Sequence, residues 1–377
     1  MPQPVPAVRP QPTEAGDPGR RILVTASSRL RRAVPFDAAG WFAVDPGTLL
    51  PTCPVLIENV EPGRCEDYWL REGTVEDVTL FRDLARHPTP AATLLSATGG
   101  NPRRSARYRD YLEPNGFADE LRIALRVGDR TWGVAVLMRT ADRPAFSRRD
   151  VDRAVAAGPA VAAALAALNT AQHPDDAAGG PDCPGVAVYT GWDAPPTVDA
   201  QARRWLTELA GTDWVHDRTF RTTATALISR ADAVAAGRDG GPATIRVRTR
   251  TGRWLALHAS RQQPLSDPRT PDDAAPAVIV VGPAAPTQVA PLLAGAYGLS
   301  PREQEVTAAV ARGLSTADAA RELHMSPHTV RDHLKAIFGK LGVSSRGELV
   351  ARLFADRALP ALVDPAAHTT AGVLAAG

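Results

Sequence analysis

The chain has 377 residues, room for two or three ordinary domains, and its 44% hydrophobic and 22% charged shares are those of a globular protein. Its formal net charge of +2 excludes a chain that coats nucleic acid indiscriminately, so any DNA contact has to come from a local patch. Three widely spaced cysteines, Cys53, Cys65 and Cys183, form no C-x-x-C pair, which argues against a disulfide framework or structural zinc and for reduced thiols in a cytoplasmic protein.

Residues 1–20 are rich in proline and lack an apolar h-region, so they read as a disordered leader and not as a signal peptide. The folded part is expected from residue 21. Arg20, Arg21, Arg29, Arg31 and Arg32 flank its first apolar segment and read as a solvated helix face. Val75, Val78, Leu80, Phe81 and Leu84 recur at helical spacing, with Pro88 and Pro90 closing that helix. Leu121, Ile123, Leu125 and Val127 alternate with polar residues, Gly128-Asp129-Arg130 turns, and Trp132, Val134, Val136 and Met138 resume the two-residue period of a hairpin. Arg148 to Leu168 predicts a helix kinked at Gly158-Pro159. Its apolar run, Ala154–Leu168, is too short to span a bilayer, so no membrane segment is expected. Helix, strand pair and helix pack most simply as an α+β sandwich with one antiparallel sheet. Trp41, Trp69 and Trp132 fit its core better than the wall of a ligand cavity.

Four short segments within residues 21–168, Asp45-Pro46-Gly47-Thr48-Leu49-Leu50-Pro51-Thr52, Arg104-Ser105-Ala106-Arg107-Tyr108, Glu120-Leu121-Arg122 and Trp132-Gly133, resemble a GAF sensor domain of the kind found ahead of LuxR-type modules in actinobacterial regulators. Residues 169–184, with Pro174, Gly179, Gly180, Pro181 and Pro184, predict a linker. Residues 185–286 give a strand at Val186–Tyr189, helices at Ala200–Leu209 and Thr223–Ala236, a hairpin of Ile245–Thr249 with Trp254–His258 about Thr251-Gly252, and a strand at Val278–Val281. That order resembles a small, degenerate PAS-type α+β fold. Gln263–Pro276 is expected to be a loop.

Residues 287–358 predict an all-α domain of four short helices. Ser300-Pro301-Arg302-Glu303 is a capping box with proline at the first helical position, and Val306, Ala309 and Val310 make the inner stripe up to Gly313. Ser315 caps a second helix, with Ala319, Ala320 and Leu323 facing inward. Ser326-Pro327 opens a third, with the stripe Val330, Leu334, Ile337, Phe338 and Leu341 before Gly342. Ser345 and Glu348 make a further capping box ahead of Leu349, Val350, Leu353 and Phe354. Such helices joined by tight turns follow helix-turn-helix grammar.

On the third helix, His328, Arg331, Asp332 and Lys335 fall at spacings of three and four, and so share the face opposite the core. Arg and Lys suit the N7 and O6 acceptors of guanine, and a carboxylate accepts from the cytosine amino group, which makes these four the candidate base readers. Ser326, Thr329, His333 and Lys340 flank them as candidate phosphate contacts, with backbone donors added by the helix N-terminus. From Gly298-Leu299-Ser300 through Thr329-Val330-Arg331-Asp332-His333-Leu334-Lys335 to Lys340-Leu341-Gly342-Val343 the stretch resembles the LuxR-type family. That resemblance implies DNA binding by the third helix and dimerisation helped by the fourth, with Leu349, Val350 and Leu353 as the candidates. His324-Met325-Ser326 and the negative Asp332 depart from the common pattern. Residues 359–377 are expected to be a frayed, Ala-rich tail.

No H-E-x-x-H, G-x-S-x-G or G-x-x-x-x-G-K-[ST] motif occurs, so neither catalysis, nor metal, nor any cofactor is expected. An antiparallel hairpin in the first unit disfavours a phosphoacceptor receiver, whose sheet is parallel. The reading is a one-component, homodimeric transcriptional regulator whose partner is double-stranded DNA, with RNA polymerase and a small-molecule effector as further candidate partners. Its alternative is a sigma-factor-like subunit that needs RNA polymerase to bind promoter DNA. Such a subunit would carry an additional basic, aromatic helical domain, which this sequence lacks. An enzyme controlled by DNA binding ranks below both, because residues 21–286 assemble no acid, base or nucleophile at readable spacing.

Overall fold

The computed structural model describes residues 17–61, 63–170, 183–191, 194–262 and 275–355. The leader up to residue 16, the linker 171–182, the loop 263–274 and the tail from 356 lie outside the described residues. Helix α1 (Pro18–Ala33) starts inside the span expected to be leader, because the Asp17 carboxylate caps it by accepting from the backbone N–H of Gly19 and Arg20 and Pro18 takes the first helical position.

The first sheet comprises β1 (Ala38–Val44), β2 (Pro51–Glu58), β3 (Ala91–Thr93), β4 (Phe117–Val127) and β5 (Arg130–Thr140), antiparallel in the order β2-β1-β5-β4-β3. Between β2 and β4 lie α2 (Arg64–Thr74), α3 (Phe81–Leu84) and α4 (Leu94–Ala97), and α5 (Arg148–Leu168) follows β5. The hairpin closes on Gly128-Asp129, with Val127 opposite Arg130 and Gly128 at φ 61°, a value glycine adopts without strain. Helix α5 opens on a capping box of Ser147 and Asp150 and runs through Gly158-Pro159, with Pro159 on its exposed side. With 21 residues it is long and apolar enough to cross a bilayer, contrary to the expectation. Its inner face packs on β4 and β5, and α1 lies alongside.

One face of this sheet, with α1 and α5, buries Leu23, Leu30, Trp41, Leu121, Trp132 and Leu165. The other buries Phe42, Tyr68, Trp69 and Phe81, where Trp69 stacks on Phe81 with ring centres 5.8 Å apart and meets Phe42 edge to face at 5.2 Å. The three tryptophans thus sit on opposite faces of one sheet. The hollow left beside Cys65 and Tyr111 is about 20 Å³, room for a single water.

One expectation fails here. The helix predicted from Val75 lies earlier, at Arg64–Thr74, and only Phe81–Leu84 turns again, because Thr79 takes φ 57° and the Glu72 carboxylate accepts from the Phe81 N–H, folding the chain back. The polar residues alternating along β4 do not face water. Glu120 and Arg122 are fully buried. Glu120 accepts from Arg107 Nε at 2.9 Å and from the Tyr68 hydroxyl at 2.8 Å, while Arg122 bonds Glu72 at 2.6 Å and the Thr79 carbonyl at 2.8 Å. Burial pushes the Tyr68 phenol well above its ordinary value, so it donates as a neutral group.

The second sheet holds β6 (Gly185–Tyr189), β7 (Thr197–Val198), β8 (Thr244–Arg248), β9 (Trp254–Arg261) and β10 (Ala277–Pro283) in the antiparallel order β7-β6-β10-β9-β8. Counted within its own unit this is the permutation of the first sheet, so the chain builds one topology twice. Helices α6 (Ala200–Ala210) and α7 (Arg218–Ala235) lie between β7 and β8. Helix α7 begins five residues before the expected Thr223, because Asp217 caps it by accepting from the Phe220 N–H at 2.7 Å. Gly185 is required where β6 crosses α6: a Cβ there would stand 2.0 Å from the Ala202 nitrogen.

The two units share a core. Helix α7 packs on α2, β2 and β9, and Ser229 donates to the Leu70 carbonyl at 2.9 Å. The fully buried Asp45 side chain accepts from Arg246 Nε at 2.8 Å, and β2 lies against β8. Helix α8 (Pro286–Ala296), which sequence reasoning did not anticipate, leads out of the second unit and lays Val289 and Leu292 into the core beneath α1 and α5.

Arg107→Met strands the Glu120 carboxylate in the interior and should cost about 3–5 kcal/mol. A urea melt followed by tryptophan fluorescence checks this, and an unchanged midpoint would show that the cluster is not holding the sheet to α2.

Candidate nucleic-acid interface

Helices α9 (Pro301–Ala311), α10 (Thr316–Glu322), α11 (Pro327–Leu341) and α12 (Arg346–Val350) form the C-terminal module, with one further turn at Ala351–Ala355. Its core is the predicted stripe: Val306, Ala309, Val310, Ala319, Ala320, Val330, Leu334, Ile337 and Leu341 are buried, and Leu323 and Phe338 are half-buried against them. Each helix start is fixed by a serine. Ser300 accepts from the Glu303 N–H at 3.3 Å while Glu303 accepts from the Ser300 N–H at 2.6 Å. Ser315 and Ser326 accept from the N–H groups of Asp318 and Thr329 at 3.1 and 3.0 Å. At α12 the expected box is half made. Ser345 accepts from the Glu348 N–H at 3.2 Å, but the Glu348 carboxylate turns to Ser344, taking its N–H at 2.7 Å.

The turn between α10 and α11 is four residues long and depends on His324, which adopts φ 54°. This is the left-handed position that glycine occupies elsewhere in the module, at Gly313 and Gly342. The departure seen at His324-Met325-Ser326 is therefore the corner of the helix-turn-helix itself.

Helix α11 is about 22 Å long. His328, Arg331, Asp332 and Lys335 are all exposed along its outer face. His328 Nδ1 and Asp332 Oδ2 pair at 2.9 Å, so the one carboxylate of this face is engaged within its own helix. Ser326 and Thr329 are exposed and their hydroxyls bond each other at 2.9 Å, whereas His333 is half-buried.

Lys340, near the end of α11, is exposed but its ammonium is engaged within the module. Its ammonium bonds Glu303 Oε2 at 2.6 Å and the Gly298 carbonyl at 3.0 Å, tying the end of α11 to the start of α9. Of the dimerisation candidates, Leu349 and Leu353 are 1% and 4% exposed in the module's own core, and Val350 is half-buried against it. The stripe that reads as an interface in sequence packs α12 on α9 and the turn at Ala351–Ala355 on α8.

The electrostatics separate one face from the rest. Arg302 pairs with Glu305, Arg312 with Glu322, Arg321 with Asp318 and Lys340 with Glu303. Arg346 is held by the Leu314 carbonyl and the Thr316 hydroxyl. Among the described residues, Arg331 and Lys335 have no acidic partner, and both lie on the outer face of α11. Arg346 and Arg352 also have no carboxylate partner among the described residues, but Arg331 and Lys335 are the exposed pair that share one face of a helix whose width enters the major groove.

Residues 298–353 match the family described as bacterial regulatory proteins, luxR family, and the C-terminal module is a domain of that family. Over 52 residues the chain is 46% identical to a putative HTH-type transcriptional regulator of Mycobacterium bovis, a match covering 14% of this chain and 6% of that protein. It is 44% identical over 54 residues to the probable HTH-type transcriptional regulator GfsR of Streptomyces halstedii, covering 14% of this chain and 22% of the relative. The chain thus spans less than a quarter of the length of these relatives. Among solved structures, a GAF domain/HD domain protein from Geobacter sulfurreducens overlays with a TM-score of 0.30 at 14% identity, covering 40% of this chain and 93% of that one.

Burial pushes the Glu303 carboxyl up, but the Lys340 ammonium and the Ser300 donors outweigh it and hold it below its ordinary 4.5. A carboxylate so lowered contributes stability above its unfolded-state value and loses it as pH falls through the folded one. The thermal midpoint of the module should therefore drop on acidification below about pH 4.5, and Glu303→Gln should flatten that drop.

Proposed function

We propose that this chain is a one-component transcriptional regulator that acts in the cytoplasm and reads double-stranded DNA with the outer face of α11. The observation that supports this most directly is the exposed pair Arg331 and Lys335, neither with an acidic partner, on one face of the second helix of the turn at His324. Arg331 and Lys335 reach guanine edges in the major groove. His328 adds a donor or acceptor once its pair with Asp332 opens, and Asp332 then accepts from cytosine. Ser326, Thr329 and His333 contact phosphate beside them, together with the N-terminal backbone of α11.

The regulator binds as a homodimer, because one helix covers too few base pairs for a selective site and two-fold readers place half-sites about one turn, roughly 34 Å, apart. The two front units set the position of the module through α8. RNA polymerase and an effector of the front units are its remaining partners in this reading.

Arg331→Ala and Lys335→Ala should each weaken binding to a selected site by about 1–3 kcal/mol and relax base choice at one position. Site selection from a random pool, followed by binding titrations across a salt series, tests this. Unchanged affinity and preference in both variants would exclude α11 as the reader. Binding that appears only with RNA polymerase present would replace this reading with the sigma-like one.

A further inference from the structure

Asp332 is the one acid in α11, and if that helix reads DNA, as the proposed function has it, the carboxylate stands where an acid is least expected. It can only accept hydrogen bonds, and its neighbours on the outer face are groups that approach phosphate and the acceptor edge of guanine. Its partner decides what it does there. Asp332 Oδ2 takes His328 Nδ1 at 2.9 Å, one turn back along the helix, and the two side chains stay 67% and 77% exposed.

That partner is not the obvious one. Lys335 lies three residues beyond Asp332, and elsewhere in the module the same order and spacing gives an ion pair, Asp318 with Arg321 at 3.0 Å. Asp332 turns back to His328 instead, and among the described residues neither Lys335 nor Arg331 has an acidic partner. The imidazole thus keeps the carboxylate off the two cations that the reading uses. Its place is set locally: Pro327 opens the helix and Ser326 caps it by accepting from the Thr329 N–H at 3.0 Å, which puts His328 in the first turn, the part of a recognition helix that meets base edges.

We infer that His328 is a specificity-determining residue that acts through Asp332, holding the carboxylate over bases with no amino group to offer and releasing it over cytosine. Guanine and thymine turn acceptors toward this part of the groove and repel a bare carboxylate, whereas cytosine N4 donates to it. Over the first two the pair stays closed and Lys335 keeps its own contact. Over cytosine the pair opens and Asp332 accepts from the amino group. A bare carboxylate would separate the two cases by about tenfold. An exposed pair at this spacing is worth about a factor of two, so its closure restores roughly threefold to the other bases and leaves a cytosine preference of about threefold. One position of the site is therefore mixed, and His328 is what keeps it mixed.

Site selection from a random pool with the full chain is the test, followed by competition titrations on duplexes that differ at the position whose base distribution Asp332→Ala flattens. The wild-type chain should favour cytosine there by about threefold. His328→Ala should leave affinity for the cytosine duplex unchanged and weaken the others about threefold, because the freed carboxylate pairs with Lys335 or faces their acceptors, which raises the preference to about tenfold. His328→Gln should keep the wild-type pattern, since a glutamine amide also bonds an aspartate four residues on. In the Asp332→Ala background, His328→Ala should change nothing. Both residues are exposed, so circular dichroism melts of all variants should superpose on the wild type.

A His328→Ala effect of equal size with and without the Asp332 carboxylate means that the imidazole reads a base by itself, and overturns the inference. So does an Asp332→Ala chain that selects the wild-type base at every position. Arg331→Ala separates this failure from the larger one. If it loses affinity while the variants at 328 and 332 keep the wild-type pattern, α11 stands as the reader and only the role of His328 falls. If Arg331→Ala and Lys335→Ala also bind as the wild type does, α11 is not the reader and the inference falls with it.

Discussion

Two arginines grip the helix that joins the front of the molecule to its C-terminal module, and the placement of residues 286–355 depends on them. Arg246, anchored on the buried Asp45 carboxylate, donates from Nη1 to the Gln288 carbonyl at 2.7 Å. Arg130, at the tip of the β4–β5 hairpin, donates to the Pro291 carbonyl at 3.1 Å and to Gln304 Oε1 on α9 at 2.8 Å. The first bond ties α8 to the junction of both sheets, and the second carries the first sheet directly to the module. Gly295 permits this closeness, since a Cβ there would meet the Arg130 side chain at 2.6 Å. The helix-turn-helix is therefore not a bead on a flexible tether. A change in the twist of β4 against β5 moves the guanidinium of Arg130, and α8 and α9 move with it.

The same economy of charge appears at two depths. In the first unit, Arg107 and Arg122 are buried and each is paired with a carboxylate and a neighbouring oxygen, the condition under which a buried ion is tolerated, although Arg122 Nε is left without a partner. Arg122 also lies over the Phe81 ring, 3.7 Å from its centroid, so the guanidinium serves as packing as well as charge. This cluster and the aromatic residues around it fill the face of the sheet that might have been hollow. In the module three of the ion pairs, Arg302–Glu305, Arg312–Glu322 and Arg321–Asp318, are at the surface and worth little individually, while Lys340–Glu303 is partly buried. They leave Arg331 and Lys335 exposed on the outer face of α11 without an acidic partner.

What the sequence made legible is what is encoded locally. Serines ahead of helices, glycines after them and apolar residues at a 3.6 period give α9, α10 and α11 nearly residue by residue, because caps and stripes act within a single turn. Hairpins were legible for the same reason: Gly128 and Gly252 mark the turns between alternating runs. Periodicity shows that one face differs from the other, but not what covers it. The burial of Glu120 and Arg122 is not announced by local alternation, because their partners, Arg107 and Glu72, come from other elements. Nothing near Lys340 in sequence announces Glu303, and at Leu349 and Leu353 a core stripe and a docking stripe share one pattern. Helix α8 escaped notice for a further reason, since its first turn and its middle carry Pro286 and Pro291, which read locally as breaks.

The doubled topology also settles how the sheets end. An open sheet leaves unpaired N–H and C=O groups along each outer strand, a template on which another chain can pair. In the first unit the outer strands are β2, of eight residues, and β3, of three; in the second they are β8, of five, and β7, of two. The two longer ones lie against each other across the junction pinned by Asp45 and Arg246, and the two left outermost are among the shortest strands in the molecule. Loosening that junction would uncover β2 and β8 together and turn two sheltered margins into sites for runaway strand pairing, so the contact that transmits position to the module also guards the chain against aggregation.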